Sequence, residues 1–283
     1  MTSPDYQIRT MTRSELDGVI DWAAAEGWNP GQYDAECFYN TDPTGFWLGV
    51  LKGEPITAIS AVKYGAGFGF VGFYIVRPDF RRLGYGWQIW QAGLATLQGR
   101  NIGLDGVVAQ QDNYLKSGFE LAYRNIRYEG RAETVAENVT RLTPLSAVPT
   151  QAVVDYDRQF FPADRERFLR GWLAQPGGVA LGQLEADTLI GYGVVRPCRM
   201  GYKIGPLFAE TPETAEEIFL GLRSHLPPQT PFYLDTPEIN PAAVALAEKY
   251  DMQRVFETAR MYTQTPPDLP LDKIFGVTSF ELG

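Results

Sequence analysis

Hydrophobic positions along this chain recur with two alternating periods, and the sharpest change of period falls between residues 70 and 97. Phe70, Val71, Phe73, Ile75 and Val76 belong to an apolar, aromatic and β-branched run of strand length. Beyond Pro78 and Gly86, the residues Trp87, Trp90, Leu94 and Leu97 fall at helical spacing. Between strand and helix stands the turn Arg81-Arg82-Leu83-Gly84-Tyr85-Gly86. Upstream, the pattern predicts a short strand near residues 8–11 and a helix over 12–25. That helix places Leu16, Val19, Ile20 and Ala23 on one side, with Thr12 or Ser14 as its N-cap. A turn at Trp28-Asn29-Pro30-Gly31 leads into a second short helix, and strands over 46–51 and 55–64 form a hairpin around Lys52-Gly53-Glu54. Downstream come a buried strand over 102–109, a helical turn carrying Tyr114, and a strand over 119–128.

The second half repeats this plan. GFWLGVLKGEPI, beginning at Gly45, aligns with GVALGQLEADTL, beginning at Gly178, an offset of 133 residues that also superposes Lys116 on Lys249 and Arg127 on Arg260. One constant shift over separated landmarks indicates duplication. Helices are predicted over 151–158, 164–173, 212–226 and 241–250, with strands up to 195 and over 203–208, 232–235 and 254–262. The polar, proline-bearing stretch 129–149 predicts a boundary between domains 1–135 and 136–283. At the same offset the RRLGYG turn corresponds to Thr214-Ala-Glu-Glu-Ile-Phe219, which has no glycine and two acids.

Charge and composition narrow the functional classes. The 283 residues carry 25 basic and 34 acidic side chains, a net charge of -9, with no Lys/Arg run long enough for a nucleic-acid stripe. No stretch of 18 apolar residues and no secretory leader is present, so neither a membrane span nor export is expected, and a cytoplasmic location is. Cys37 and Cys198 stand far apart and predict neither a disulfide framework nor a metal site. The single histidine, His225, lies near a predicted helix end, which argues against hydrolase chemistry of the Ser-His-Asp or Cys-His kind.

The RRLGYG turn reads as an anion cradle. The first N–H groups of a helix lack intrahelical partners and carry the positive end of its dipole, glycines let a phosphate approach, and Arg81 and Arg82 add charge. Its spacing matches neither the GxGxxG fingerprint nor the nucleotide P-loop. The pattern V-x-P-x-x-R-R-x-G-x-G, Val76 to Gly86, followed by a helix, resembles the acetyl-CoA pyrophosphate loop of the GNAT superfamily of N-acetyltransferases. NYLKSGF, Asn113 to Phe119, resembles that superfamily's late Tyr-x-x-x-Gly-Phe segment. EGWNPG, IGLDGV, YDRQFFPADR and IFGVTSFELG are similar to segments of the YitH-like bacterial acetyltransferases, which carry a second GNAT-type domain.

The resemblance implies an α+β fold of tandem GNAT domains, each a mixed, mostly antiparallel sheet flanked by helices. It implies acetyl-CoA as donor, held by Tyr74, Ile75 and Val76 along the pantetheine arm, by Arg81, Arg82, Leu83, Gly84, Tyr85, Gly86 and Trp87 at the pyrophosphate, and by Asn113, which otherwise caps its turn. Trp87 and Trp90 also read as core at helical spacing. Tyr114 takes the family position of the general acid, and Gly72 permits a bulge that frees an N–H to polarise the thioester. No base stands out, since the central strand lacks the glutamate some members carry. Asp105, an acid inside an apolar strand, is either a site residue or a structural hydrogen-bonded one. Glu26, Trp28, Asn29 and Asp34 would rim a pocket for an amine. With no cysteine in the motif region, direct attack by a small-molecule primary amine is expected, in a monomer or homodimer, with a single coenzyme site in the first half. The alternative is a non-catalytic acyl-CoA-binding sensor.

Overall fold

The structure is a computed structural model that describes residues 5–133 and 142–283. The expected boundary between 135 and 136 lies outside the described residues. In the first half, strand β1 (Tyr6–Thr10) leads to helix α1 (Arg13–Ala25) and α2 (Asp34–Thr41). Strands β2 (Phe46–Leu51), β3 (Glu54–Tyr64) and β4 (Phe68–Val76) follow, then α3 (Tyr85–Thr96), β5 (Asn101–Val107), α4 (Gln111–Lys116) and β6 (Glu120–Arg131). The second half runs β7 (Leu142–Pro144), α5 (Thr150–Asp157), α6 (Glu166–Leu173), β8 (Val179–Glu185), β9 (Thr188–Pro197) and β10 (Tyr202–Ala209). It continues with α7 (Pro212–Ser224), β11 (Pro231–Pro237), α8 (Pro241–Lys249), β12 (Gln253–Tyr262) and β13 (Ile274–Gly276).

Local chemistry sets the helix starts. Of the two candidate caps of α1, Thr12 is used, because Glu15 three residues on completes a capping box by bonding back to the Thr12 N–H. Helix α7 starts at Pro212 behind Thr211, whose hydroxyl accepts from the Thr214 N–H. Thr214 to Phe219 therefore lies inside this helix and not at its start, which corrects the position expected from the repeat offset.

All thirteen strands of the described residues join one sheet, in the order β1-β2-β3-β4-β5-β12-β6-β11-β10-β9-β8-β7, with β13 added to β10. The pairs are antiparallel except β4–β5 and β10–β11. The halves interdigitate at the centre: β12 of the second half lies between β5 and β6, and β6 of the first lies between β12 and β11. Two buried ion pairs follow from this exchange. Arg260 on β12 stands opposite Asp105 on β5, and Arg127 on β6 stands opposite Asp235 on β11, each pair bidentate. Each arginine thus reaches across from its own half to an acid of the other. Apolar clusters cover both faces, among them Phe38, Phe168 and Trp172, stacked between the helices of the two halves.

Candidate active site

The cleft forms where two neighbouring strands part. β4 pairs with β5 only from Phe68 to Val71, and a bulge follows: Ser60 of β3 stands opposite Gly72 and Ala58 opposite Ile75, so Phe73 and Tyr74 face the single residue Ile59. Phe73 adopts a left-handed φ of 45°, a strained conformation for an aromatic residue, held here by a side chain buried in the core. The bulge expected at Gly72 therefore exists, one residue later. It turns residues 72–76 away from β5 and opens a cavity of about 600 Å³ between them and residues 104–107.

At one end of the cavity Arg81, Arg82, Gly84, Gly86 and Trp87 line the wall. The glycines act differently from one another. Gly84 is the N-cap of α3 at φ 87°, a conformation that disfavours any side chain, and it offers no side-chain acceptor to the first N–H groups of the helix. Gly86 is needed for close packing on β4: a Cβ there would stand 2.9 Å from the Tyr74 hydroxyl and from Val76. Arg81 donates to the Val76 carbonyl (2.9 Å) and pairs with Glu26 across the mouth. Both tryptophans line the cavity, Trp87 56% exposed and Trp90 buried against the core. Leu83, Tyr85 and Asn113 do not line the cavity. Tyr85 packs its ring on Tyr6 (4.8 Å between centroids), and Asn113 bonds Gln110 (2.8 Å).

Further in, Tyr74, Trp90 and Tyr114 form an aromatic wall with centroid spacings of 4.9 and 5.5 Å. The Tyr114 ring lies against Gly106, where any Cβ would collide with it. Burial, and then the neighbouring Tyr74, push the Tyr114 phenol well above its ordinary value, so it keeps its proton at neutral pH.

The acids separate into paired and unpaired. Asp105 has a fully buried carboxylate that accepts from Arg260 Nε (2.9 Å) and Nη2 (2.6 Å) and from Asn125 Nδ2 (2.8 Å), so its oxygens are committed to structure. Asp34, expected at the rim of an amine pocket, is 0% exposed and outside the cavity: it accepts from Arg196 Nε (2.9 Å), the Gly31 N–H (2.8 Å) and Gln175 (3.1 Å). Burial alone would raise its pKa, yet Arg196 holds it below the carboxylate range. The amine-contact expectation at Asp34 is corrected for that reason. Asn29 is corrected likewise, its amide bonding both main-chain groups of Met200. Glu26 and Trp28 do line the cavity. Arg158 pairs with Asp155, and Arg165 is a buried partner of Asp157.

Residues 256, 258, 280 and 281 of the second half complete the wall. Phe280 and Glu281 arrive on a final segment that passes so close to the bulge that a Cβ at Gly72 would stand 2.1 Å from the Glu281 carbonyl oxygen. The segment is held by the Tyr64 hydroxyl on the Leu282 carbonyl (3.0 Å) and by Arg165 on that of Gly283 (3.3 Å). Its apolar, β-branched composition after the proline-rich stretch 266–270 was the available signal.

At the equivalent place of the second half a strand fills the gap. Strands β10 and β11 also part, after Ile204 and Leu234, but β13 pairs there with Leu207 and Phe208, and the Val277 N–H bonds the Asp235 carbonyl. Only Glu210 and Thr211 link β10 to α7, where residues 77–84 link β4 to α3. No helix among the described residues is long and apolar enough to cross a membrane, and no metal-ligating cluster occurs among them.

Residues 11–119 match the acetyltransferase (GNAT) family, and residues 153–276 match an acetyltransferase (GNAT) domain. Holothin acyltransferase of Pseudoalteromonas sp. (strain SANK 73390) is 30% identical over 265 residues, spanning 94% of this chain and 90% of that protein. In fold, a putative acetyltransferase from Pyrococcus horikoshii superposes with a TM-score of 0.85 at 23% identity, over 100% of this chain and 98% of its own. A tandem GNAT protein from the clavulanic acid biosynthesis pathway does so with a TM-score of 0.64 at 13% identity, over 93% and 99%. With the splayed strands and the open helix start of its first half, the chain belongs to the GNAT acetyltransferases, as an acyltransferase with two such domains in tandem.

Proposed function

We propose that the first half binds acetyl-CoA in this cleft and transfers its acetyl group to a primary amine, and that the second half closes the cleft and shapes the choice of acceptor. The carrying observation is the parting of β4 from β5 beside the uncapped start of α3. The pyrophosphate sits on the free N–H groups of α3, with Arg81 and Arg82 adding charge. The pantetheine arm runs along Tyr74, Ile75 and Val76 as an added strand. The second half supplies an internal precedent: β13 pairs with Leu207 and Phe208, which the repeat offset places on Tyr74 and Ile75.

The bulge takes residues 73 and 74 out of the ladder, so an N–H there is available to polarise the thioester carbonyl. Tyr114 donates its proton to the departing thiolate. Asp105 we assign to structure, through its pair with Arg260. In the second half the coenzyme slot is filled by β13, the loop before α7 is reduced to two residues, and Thr211 already caps the helix, so that half binds no coenzyme.

The proposal is tested by calorimetric titration with coenzyme A and by thiol release from acetyl-CoA with a panel of primary amines. One equivalent bound, weakened by Arg81→Ala, with amine-dependent release, is the expected result. Absence of uptake, or two equivalents, would contradict it.

A further inference from the structure

We propose that Glu281 is the proton acceptor for the attacking amine, carried into the first half's reaction centre by the final segment of the second half. The inference rests on the acyltransferase reading above and adds the base that the central strand lacks. Three acids line the cavity. Glu26 is paired with Arg81 and Asp105 with Arg260, whereas Glu281 forms no ion pair and its Oε2 has no hydrogen-bond partner among the described residues. The residue is 4% exposed, so this orphaned oxygen is costly unless a ligand uses it. Its main chain is fixed against Gly72, at the bulge where the thioester carbonyl would lie, and Ser60 Oγ, also without a partner among the described residues, would stand 3.0 Å from a Cβ at Gly72.

The charged groups around Glu281 come from four elements: Lys203 on β10, Asp34 on α2, Arg127 on β6 and Arg196 on β9. None reaches ion-pair distance. Burial raises the carboxyl above its ordinary value, Asp34 adds to this, and Lys203, Arg127 and Arg196 oppose it, with the net direction upward. A carboxylate whose proton affinity is raised by burial is a better acceptor for an ammonium proton than an exposed glutamate. Trp28, Phe256 and Phe280 line the same cavity, and the rings of Phe256 and Phe280 also hold the Arg127 guanidinium, at 5.6 and 4.9 Å from their centroids.

The acceptor arrives as R–NH3+, and one proton passes to the Glu281 carboxylate. The freed lone pair forms the N–C bond at the thioester carbonyl, and collapse of the adduct breaks the C–S bond. The thiolate takes the Tyr114 proton, and the phenolate is reprotonated by the second proton of the new N–C nitrogen. The proton on Glu281 leaves to solvent, so each turnover releases amide, free thiol and one proton.

The test compares wild type, Glu281→Gln and Glu281→Asp with acetyl-CoA and two nucleophiles, benzylamine, which is protonated at neutral pH, and hydroxylamine, which is not. Expected for Glu281→Gln is a loss of about 10²–10³-fold in kcat/KM with benzylamine, disappearance of the acidic limb of its pH profile, near-normal hydroxylamine turnover and unchanged coenzyme A affinity. Glu281→Asp should recover part of the benzylamine rate. Equal losses with both nucleophiles, or no loss with either, would overturn the role. Failure of wild type to take up coenzyme A would instead remove the acyltransferase reading beneath it. Should Glu281→Gln not fold, the wild-type profiles decide: an acidic limb equal for both nucleophiles overturns the role, and a limb confined to benzylamine supports it.

Discussion

Replacing Asp105 by asparagine separates a structural acid from a chemical one. In the folded chain its carboxylate holds both Arg260 Nε and Nη2, at 2.9 and 2.6 Å, and an Asn125 amide proton, with no side-chain exposure to water. Asparagine keeps one acceptor but turns an amide N–H2 toward Nη2, leaving a guanidinium that cannot release its proton buried and uncompensated, apart from the face of Phe70 at 5.2 Å. Breaking one side of a buried pair costs about 3–5 kcal/mol. For a chain of this size each kcal/mol lowers Tm by about 2–4 °C, so the variant should melt roughly 6–20 °C below wild type. Thiol release per folded molecule should hardly change. The double variant Asp105→Leu/Arg260→Met, which removes both charges, should recover much of the loss. Thermal melting followed by circular dichroism, with active-site titration of the folded fraction, reads both quantities. A variant that melts like wild type while its turnover collapses would refute the structural assignment and return Asp105 to the chemistry.

Tyr114→Phe should lower kcat by about 10²-fold or more while leaving coenzyme A affinity within about twofold, since the ring's packing on Trp90 and Gly106 is retained and only the proton is lost; stopped-flow thiol release with calorimetry checks both. Gly72→Ala should destabilise by about 1–3 kcal/mol, because the colliding atom is a main-chain carbonyl oxygen that no rotamer change can move. It should also impair turnover by displacing Glu281, and a variant with wild-type melting and rate would show that the segment does not bear on the bulge. Glu281→Gln should have a pH-dependent stability difference from wild type. The native carboxyl holds its proton more tightly than the unfolded one, so wild-type stability falls as pH rises from the ordinary glutamate value, about 4.3, through the raised folded value. The glutamine variant lacks that slope, so its advantage should grow across this window and then level off. Melting over a pH series would contradict the environment described for Glu281 if the difference is flat.

Elements with a sustained hydrophobic period were legible in the sequence: β2 to β4 and α3, and their repeat as β8, β9 and α7. The start of α1 was legible to within two candidates, because a capping box is a local pattern. What escaped was long-range. β13 is three residues long and exists only because β10 offers an open edge, so no period announces it. Asp105 was conspicuous as an acid in an apolar strand, but its partner lies 155 residues away on a strand of the other half. Asp34 and Asn29 sit in a segment whose aromatic and acidic composition suits a pocket rim, yet the second half packs over them and converts the same groups into buried struts. Glu281 carries no local mark, because what distinguishes it is a missing partner, and that is a property of the folded surroundings alone.

The two departures from symmetry between the halves have a common physical origin. A pair of strands that splay leaves one edge of donors and acceptors unpaired, which is costly inside a protein and must be met by a ligand or by chain. The first half leaves its edge at Tyr74 to Val76 open to the cavity; the second meets its own with β13. Once residues 274–276 are fixed on β10, the direction of the chain beyond them is fixed too. Five residues of extended chain span at most about 17 Å, so Glu281 can lie only within that radius of Gly276. The segment spends this reach crossing to Gly72, where the tyrosine of β3 and the arginine before α6 hold its last carbonyls. Filling one slot and placing an unpaired carboxylate beside the open one are thus consecutive consequences of a single strand addition, and a change that loosens β13 from Leu207 and Phe208 acts on the cleft of the opposite half.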